Sequence, residues 1–161
     1  MNKFAYIFAC ILIISCSNQT IYSGKILNKS NNFLEKNNFF YNKDYKTTFE
    51  IISIFLIFFI KFNIKTKKEN YKALNQEILN IFINDLDESF RTIGIGDISI
   101  GKYVKSYVKK FYYRMKKLEL TNNTFQSENL IKYVKSLNFI KKDQIKIASE
   151  ELLKELKYIE F

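Results

Sequence analysis

The sequence has no proline, no histidine and no tryptophan, only four glycines, and two cysteines that both fall within the first sixteen residues. Each scarcity excludes something. Without histidine the commonest general base and metal ligand is missing. Cys10 and Cys16 lie in an N-terminal apolar stretch, so neither a cysteine-rich metal site nor a secreted disulfide framework can be built from them. The body of the chain has neither thiol nor imidazole, which argues against most metal, nucleophilic and acid–base chemistry. The expectation is a non-enzymatic protein with no cofactor and no small-molecule substrate. Without proline, turns fall to other residues, and glycine goes where positive φ or close backbone approach is required. Three of the four glycines, Gly94, Gly96 and Gly101, sit within eight residues of one another.

What is present is hydrophobic and basic. At 161 residues, 47% hydrophobic and 26% charged, the chain fits one folded domain with a real core. The formal charge of +10 suits an anionic partner: nucleic acid, a ribosomal surface, an anionic membrane face or an acidic protein. Lys, Asn, Ile, Phe and Tyr also share AT-rich codons, so part of the lysine excess has a purely genomic explanation. Distribution has to decide between the two.

Met1-Asn-Lys3 precedes an apolar run from Phe4 to Ile14, then Ser15-Cys16. A basic start, a short apolar region and a small residue before a break fit a secretory signal. The run is too short for a bilayer span, which takes roughly 20 apolar residues. Ile13-Ile-Ser-Cys16 resembles a bacterial lipobox, whose cysteine is acylated after cleavage. The competing reading is a hydrophobic first helix or membrane-surface anchor. Residues 1–19 are set apart on this ground from a domain over residues 20–161.

Periodicity in that domain is helical. Residues 47–64 form an intensely apolar segment broken by Glu50 and Ser53, which predicts a central helix buried on nearly all sides. Tyr71, Leu74, Ile78, Phe82, Leu86 and Phe90 recur every three or four residues and predict an amphipathic helix over 69–93, stopped by Gly94 in a left-handed conformation. Ser99 is the expected N-cap of the next helix, whose stripe is Ile100, Val104, Val108, Phe111, Met115 and Leu118. A turn at Asn122-Asn123, a short helix from Ser127 to Leu137 and a last helix capped by Asp143 follow. With no linker and no repeat, the fold class is a single all-α domain.

Gly96-Asp-Ile-Ser-Ile-Gly101-Lys102 matches a phosphate-loop string, yet it follows a helix rather than a strand, and Tyr103 stands where a metal-binding hydroxyl is required. Asp85, Asp87, Glu88 and Arg91 cluster at the end of one helix, where Asp87 and Arg91 are spaced for an ordinary i, i+4 pair. The segment from Lys102 to Lys117 differs. Lys102, Lys105, Lys109, Lys110, Arg114, Lys116 and Lys117 meet no acid before Glu119, and Lys102, Lys105, Lys109 and Lys116 project away from the apolar stripe. We read this as an interaction face; taken alone it also suits a nucleic-acid-binding helix bundle.

Asp85-Leu-Asp87-x3-Arg91-x2-Gly94-Ile-Gly96-Asp97-x-Ser99-Ile-Gly101-Lys102-x2-Lys105, then Phe111-Tyr112-x-Arg114, resembles the signature of the ubiquinol–cytochrome c chaperone family, assembly factors of the cytochrome bc1 complex (complex III). Weaker similarity extends upstream through residues 22–41, Asp44 and Phe49-Glu50. Thr48 replaces an arginine of the family pattern, Phe55 a histidine and Tyr113 a glycine, and the tail beyond residue 120 is not matched. The resemblance implies an all-helical, non-enzymatic chaperone. Mitochondrial members bind newly made cytochrome b near the ribosomal tunnel exit. Carried over, it implies client or partner contacts through Arg91, Asp97, Lys102, Lys105, Lys109 and Arg114, with Gly94, Gly96, Ser99 and Gly101 shaping the loop. Implied partners are the cytochrome b client, the tunnel-exit region or a partner assembly factor, and an anionic membrane surface. That places the protein on the cytoplasmic face of the inner membrane. The export-like N-terminus implies instead a periplasmic lipoprotein anchored through Cys16.

Overall fold

The computed structural model describes residues 18–36, 38–67, 70–121 and 124–157. In order they form α1 (Asn18–Lys36), α2 (Tyr45–Thr66), α3 (Tyr71–Thr92), α4 (Asp97–Lys117), a hairpin of β1 (Leu120–Thr121) and β2 (Thr124–Phe125), α5 (Ser127–Leu137) and, after a 3-10 turn at Lys142–Gln144, α6 (Ile145–Lys157). The all-α reading holds.

α2 is the axis of the fold. Asp44 caps it, its Oδ1 accepting the Thr47 N–H at 2.8 Å, which satisfies one of the orphan donors of a helix start. From Thr47 to Ile60 every residue is buried. The helix is long and apolar enough to cross a membrane by itself, but 83% of its apolar window is covered by the rest of the protein. A helix without a polar face must be wrapped on all sides. α1 and α3 pack directly on it, α4 packs on α3, and α5 and α6 pair with each other. Ring contacts bind the layers: Phe33 to Phe55, Phe49 to Phe82 and Tyr107, and Phe58 to Phe125. Burying a phenylalanine stabilises by about 1.5–3 kcal/mol, so each of these rings contributes substantially to cohesion.

Two buried amides join neighbouring helices. Asn63 Nδ2 donates to Asn75 Oδ1 at 3.0 Å and Asn75 Nδ2 to the Ile60 carbonyl at 3.3 Å, joining α2 to α3. The tail is tied back to the connector before α2 by a single antiparallel bridge, Phe40 with Ile140. There Tyr41 N–H donates to Phe139 O at 3.1 Å and Lys141 N–H to Phe39 O at 2.8 Å. No local pattern announces this contact.

Two sequence expectations need correcting. Asp143 does not cap the last helix: it lies in the 3-10 turn, where its carboxylate accepts from Gln144 Nε2 at 3.0 Å. Tyr107, which the expected apolar stripe of its helix leaves out, belongs to the core, against Phe49 and Phe90. Asn122 and Asn123, the expected turn, lie outside the described residues.

Candidate functional site

The turn from α3 into α4 is built by backbone geometry. Gly94 has φ +85°. Its N–H donates to Arg91 O at 3.0 Å, and Ile95 N–H donates to Phe90 O at 3.0 Å. These are the two bonds of a Schellman motif, which closes the last carbonyls of α3. Gly96 is extended and precedes the first helical residue, Asp97.

The structure therefore moves the helix start upstream. Ser99 is not the N-cap: it sits exposed in the first turn, and its N–H donates to Gly96 O at 2.8 Å. Gly101 is not part of the loop but lies within α4. A glycine in the helix and a helix in place of a strand leave the phosphate-loop string without a cradle.

Arg91 and Asp97 come together. The Arg91 guanidinium donates through Nε to Asp87 at 2.6 Å and through Nη1 to Asp97, bracing the corner from both helices. All three side chains remain exposed to solvent. Asp97 also lies at the positive end of the α4 dipole. Asp85 points elsewhere: it is buried among Ile26, Leu27, Ile52, Leu56, Ile78 and Phe82, and burial, with a smaller contribution from Glu88, pushes its carboxyl up to about 7. The acids at the end of α3 thus do not converge, and among the described residues no cluster of three His, Cys, Asp or Glu is arranged to hold a metal.

Beyond the corner, Lys102, Lys105 and Lys109 are exposed along one side of α4. They line a shallow groove of about 550 Å³ with Gly101 and Ser106. None of the three is ion-paired to another described residue. Their neighbour Lys110 instead turns over the Tyr107 ring at 4.3 Å. Ile98, one turn before Lys102, is fully exposed, and Tyr112 and Tyr113 are about half exposed further along. Placing the helix start at Ser99 left Ile98 in a loop; a start at Asp97 puts it on the lysine face.

Arg114 departs from its expected role. Its guanidinium makes a two-pronged pair with both carboxylate oxygens of Glu50, and the two side chains keep only 12% and 11% exposure. Desolvation pushes the Glu50 carboxyl above its ordinary value, while Arg114 and then Lys110 pull it back. A guanidinium committed in this way is not available to a client, so Arg114 is an internal brace. Glu50, unremarked among the site residues, is its partner and also lines a cavity of about 270 Å³ with Asp44, Lys46, Phe49, Tyr107 and Lys110. The sequence signals for the pair were an acid in an otherwise apolar helix and the place of both residues in the family resemblance. Cys16 lies outside the described residues.

The site residues therefore divide into a braced corner, an exposed basic face and a buried ion pair. Residues 37–154 match the family model described as Ubiquinol-cytochrome C chaperone. The match starts after α1 and runs through the tail beyond residue 120 that motif comparison left unassigned. No curated protein and no solved structure matches the chain.

Proposed function

Because the chain belongs to the ubiquinol-cytochrome C chaperone family, with a role in complex III assembly, we propose that its client is cytochrome b. On this reading it acts by binding and not by catalysis. The observation that carries the proposal is the family match across residues 37–154, which takes in the corner, the basic face and the Glu50–Arg114 brace.

The contact surface is the outward face of α4. Lys102, Lys105 and Lys109 are exposed and unneutralised, whereas the other charges of the signature are spent on structure: Arg91 on Asp87 and Asp97, Arg114 on Glu50. A rigid corner fixes the direction of that face relative to the core. Its partners in assembly are the client, the ribosomal exit region or a second assembly factor.

The protein works at the cytoplasmic side of the inner membrane, where a newly made membrane-embedded client emerges. Ile13-Ile-Ser-Cys16 supports a second reading, a periplasmic lipoprotein held through Cys16. Deleting the gene tests the first: assembled bc1 complex and haem b absorbance fall while other respiratory complexes persist. Normal bc1 levels in that strain overturn it. Palmitate labelling that vanishes on Cys16→Ser selects the second, and a fusion reporter active only in the cytoplasm removes it.

A further inference from the structure

We propose that the outward face of α4 settles on an anionic lipid leaflet, with its lysines on headgroup phosphates and the Ile98 side chain entering the acyl boundary. The inference rests on the reading of this face as the protein's contact surface and names what it contacts.

The face is continuous. Positions 98, 102, 105, 109, 112 and 116 step by four and three residues, which keeps them within about 80° of arc over about 27 Å of helix. All six are exposed, and Ile100, Tyr107 and Phe111 on the opposite side are buried. The orientation of α4 is thus fixed by the core, and the stripe points outward.

Its charge has one sign. No acid occurs in the sequence between Asp97 and Glu119, and Asp97 at the edge is held by Arg91. Lys102, Lys105 and Lys109 find no counter-ion among the described residues. The complement of such a stripe is a dense array of negative charge, supplied by phosphate headgroups.

The apolar residues choose between a lipid surface and a nucleic acid. Phosphate binding along a strand of RNA uses cations and stacking rings. A fully exposed isoleucine contributes nothing there and stays in water. At a bilayer the same side chain leaves water for the acyl boundary, tyrosines sit at headgroup depth, and lysine stems lie along the interface. Ile98 at the start, Tyr112 further along and lysines between and beyond them match that second pattern.

The absence of tryptophan supplies the test. In the full-length protein, Ile98→Trp creates a single emitter at the proposed point of insertion, and Ile147→Trp creates one at an exposed position on α6. Vesicles of phosphatidylglycerol and phosphatidylethanolamine are titrated against vesicles of phosphatidylcholine. The expected result is a blue shift for Ile98→Trp on the anionic vesicles alone and none for Ile147→Trp. Adding Lys102→Gln, Lys105→Gln and Lys109→Gln weakens partition about fivefold per lysine at unchanged melting temperature. The apolar stretch from Phe4 to Ile14 is common to all variants and cancels in the comparison. An unmoved Ile98→Trp spectrum on anionic vesicles overturns the proposal, even if the protein sediments with them. Lysine-dependent binding of a single-stranded RNA oligonucleotide with inert vesicles also overturns it and assigns the face to nucleic acid. The assembly reading fails separately: if the triple-lysine variant loses vesicle binding yet assembles bc1 normally, the lipid contact stands and its role in assembly falls.

Discussion

Glu50 in α2 and Arg114 in α4, sixty-four residues apart, meet as a two-pronged ion pair inside the protein. The pair crosses between the central helix and the helix that carries the basic face. The Arg114 guanidinium also lies 5.7 Å from the centre of the Phe49 ring, so it is fixed by charge and by packing. The face therefore keeps its orientation through a contact on the opposite side of its own helix.

Breaking that pair from one side is expected to be costly. Arg114→Ala leaves the Glu50 carboxylate buried without its partner, a loss of about 3–5 kcal/mol. The double variant Glu50→Leu/Arg114→Met removes both charges and destabilises less than Arg114→Ala alone. Urea denaturation of the two variants checks the order, and equal losses would mean that packing rather than charge holds the site.

Asp85 makes stability depend on pH in an uncommon direction. Its folded carboxyl titrates at about 7 instead of 3.8, so between those values the unfolded chain has released a proton that the native state retains. The stability linked to Asp85 is fully present below pH 4 and declines as pH rises towards 7, a loss of about 4 kcal/mol by linkage. Asp85→Asn removes the decline and is more stable than the parent at pH 8. Thermal melts from pH 4 to pH 8 on both proteins read this directly; parallel profiles would refute it.

The clustered glycines respond to alanine with opposite signs. Gly94 holds φ +85° and its missing Cβ has open space around it, so Gly94→Ala is penalised by backbone conformation alone, about 1 kcal/mol or more. Gly101 is exposed within α4 with open space too, and Gly101→Ala stabilises by about 0.5–1 kcal/mol. Denaturation midpoints of the two single variants decide it.

Charge reversal at Lys102 and Lys105 separates structure from function. Both are exposed and without an ion pair among the described residues, so the double variant keeps its melting temperature within about one or two degrees, as surface substitutions do. Assembly of the bc1 complex falls in cells carrying it. Retained stability with normal assembly would remove this face from the assembly role.

Much of this architecture is legible in the chain because helical period is a local property. The apolar run from Thr47 to Ile60, broken by Glu50 and Ser53, has no continuous polar side to show to water and must be central. Phe82, Leu86 and Phe90 mark the inner side of α3, and Gly94 after them marks its end. The lysines of α4 lie opposite its apolar stripe in any helical projection. Boundaries were less legible: Ser99 has the chemistry of a cap, but the extended Gly96 already ends the turn, and the helix starts two residues before Ser99.

The sequence by itself determined the helices, which of them is central, the stop at Gly94 and the sign of the α4 surface, since each depends on residues within a few turns of one another. Tertiary structure alone decided that Arg114 faces inward to Glu50 and that Asp85 loses its water. It also decided that Ile98 keeps its water and that Phe40 pairs with Ile140 across the two ends of the domain. Those outcomes follow from which helix faces meet. Desolvation and ion pairing depend on distance in space, and a periodic pattern along the chain carries no information about which distant face will arrive.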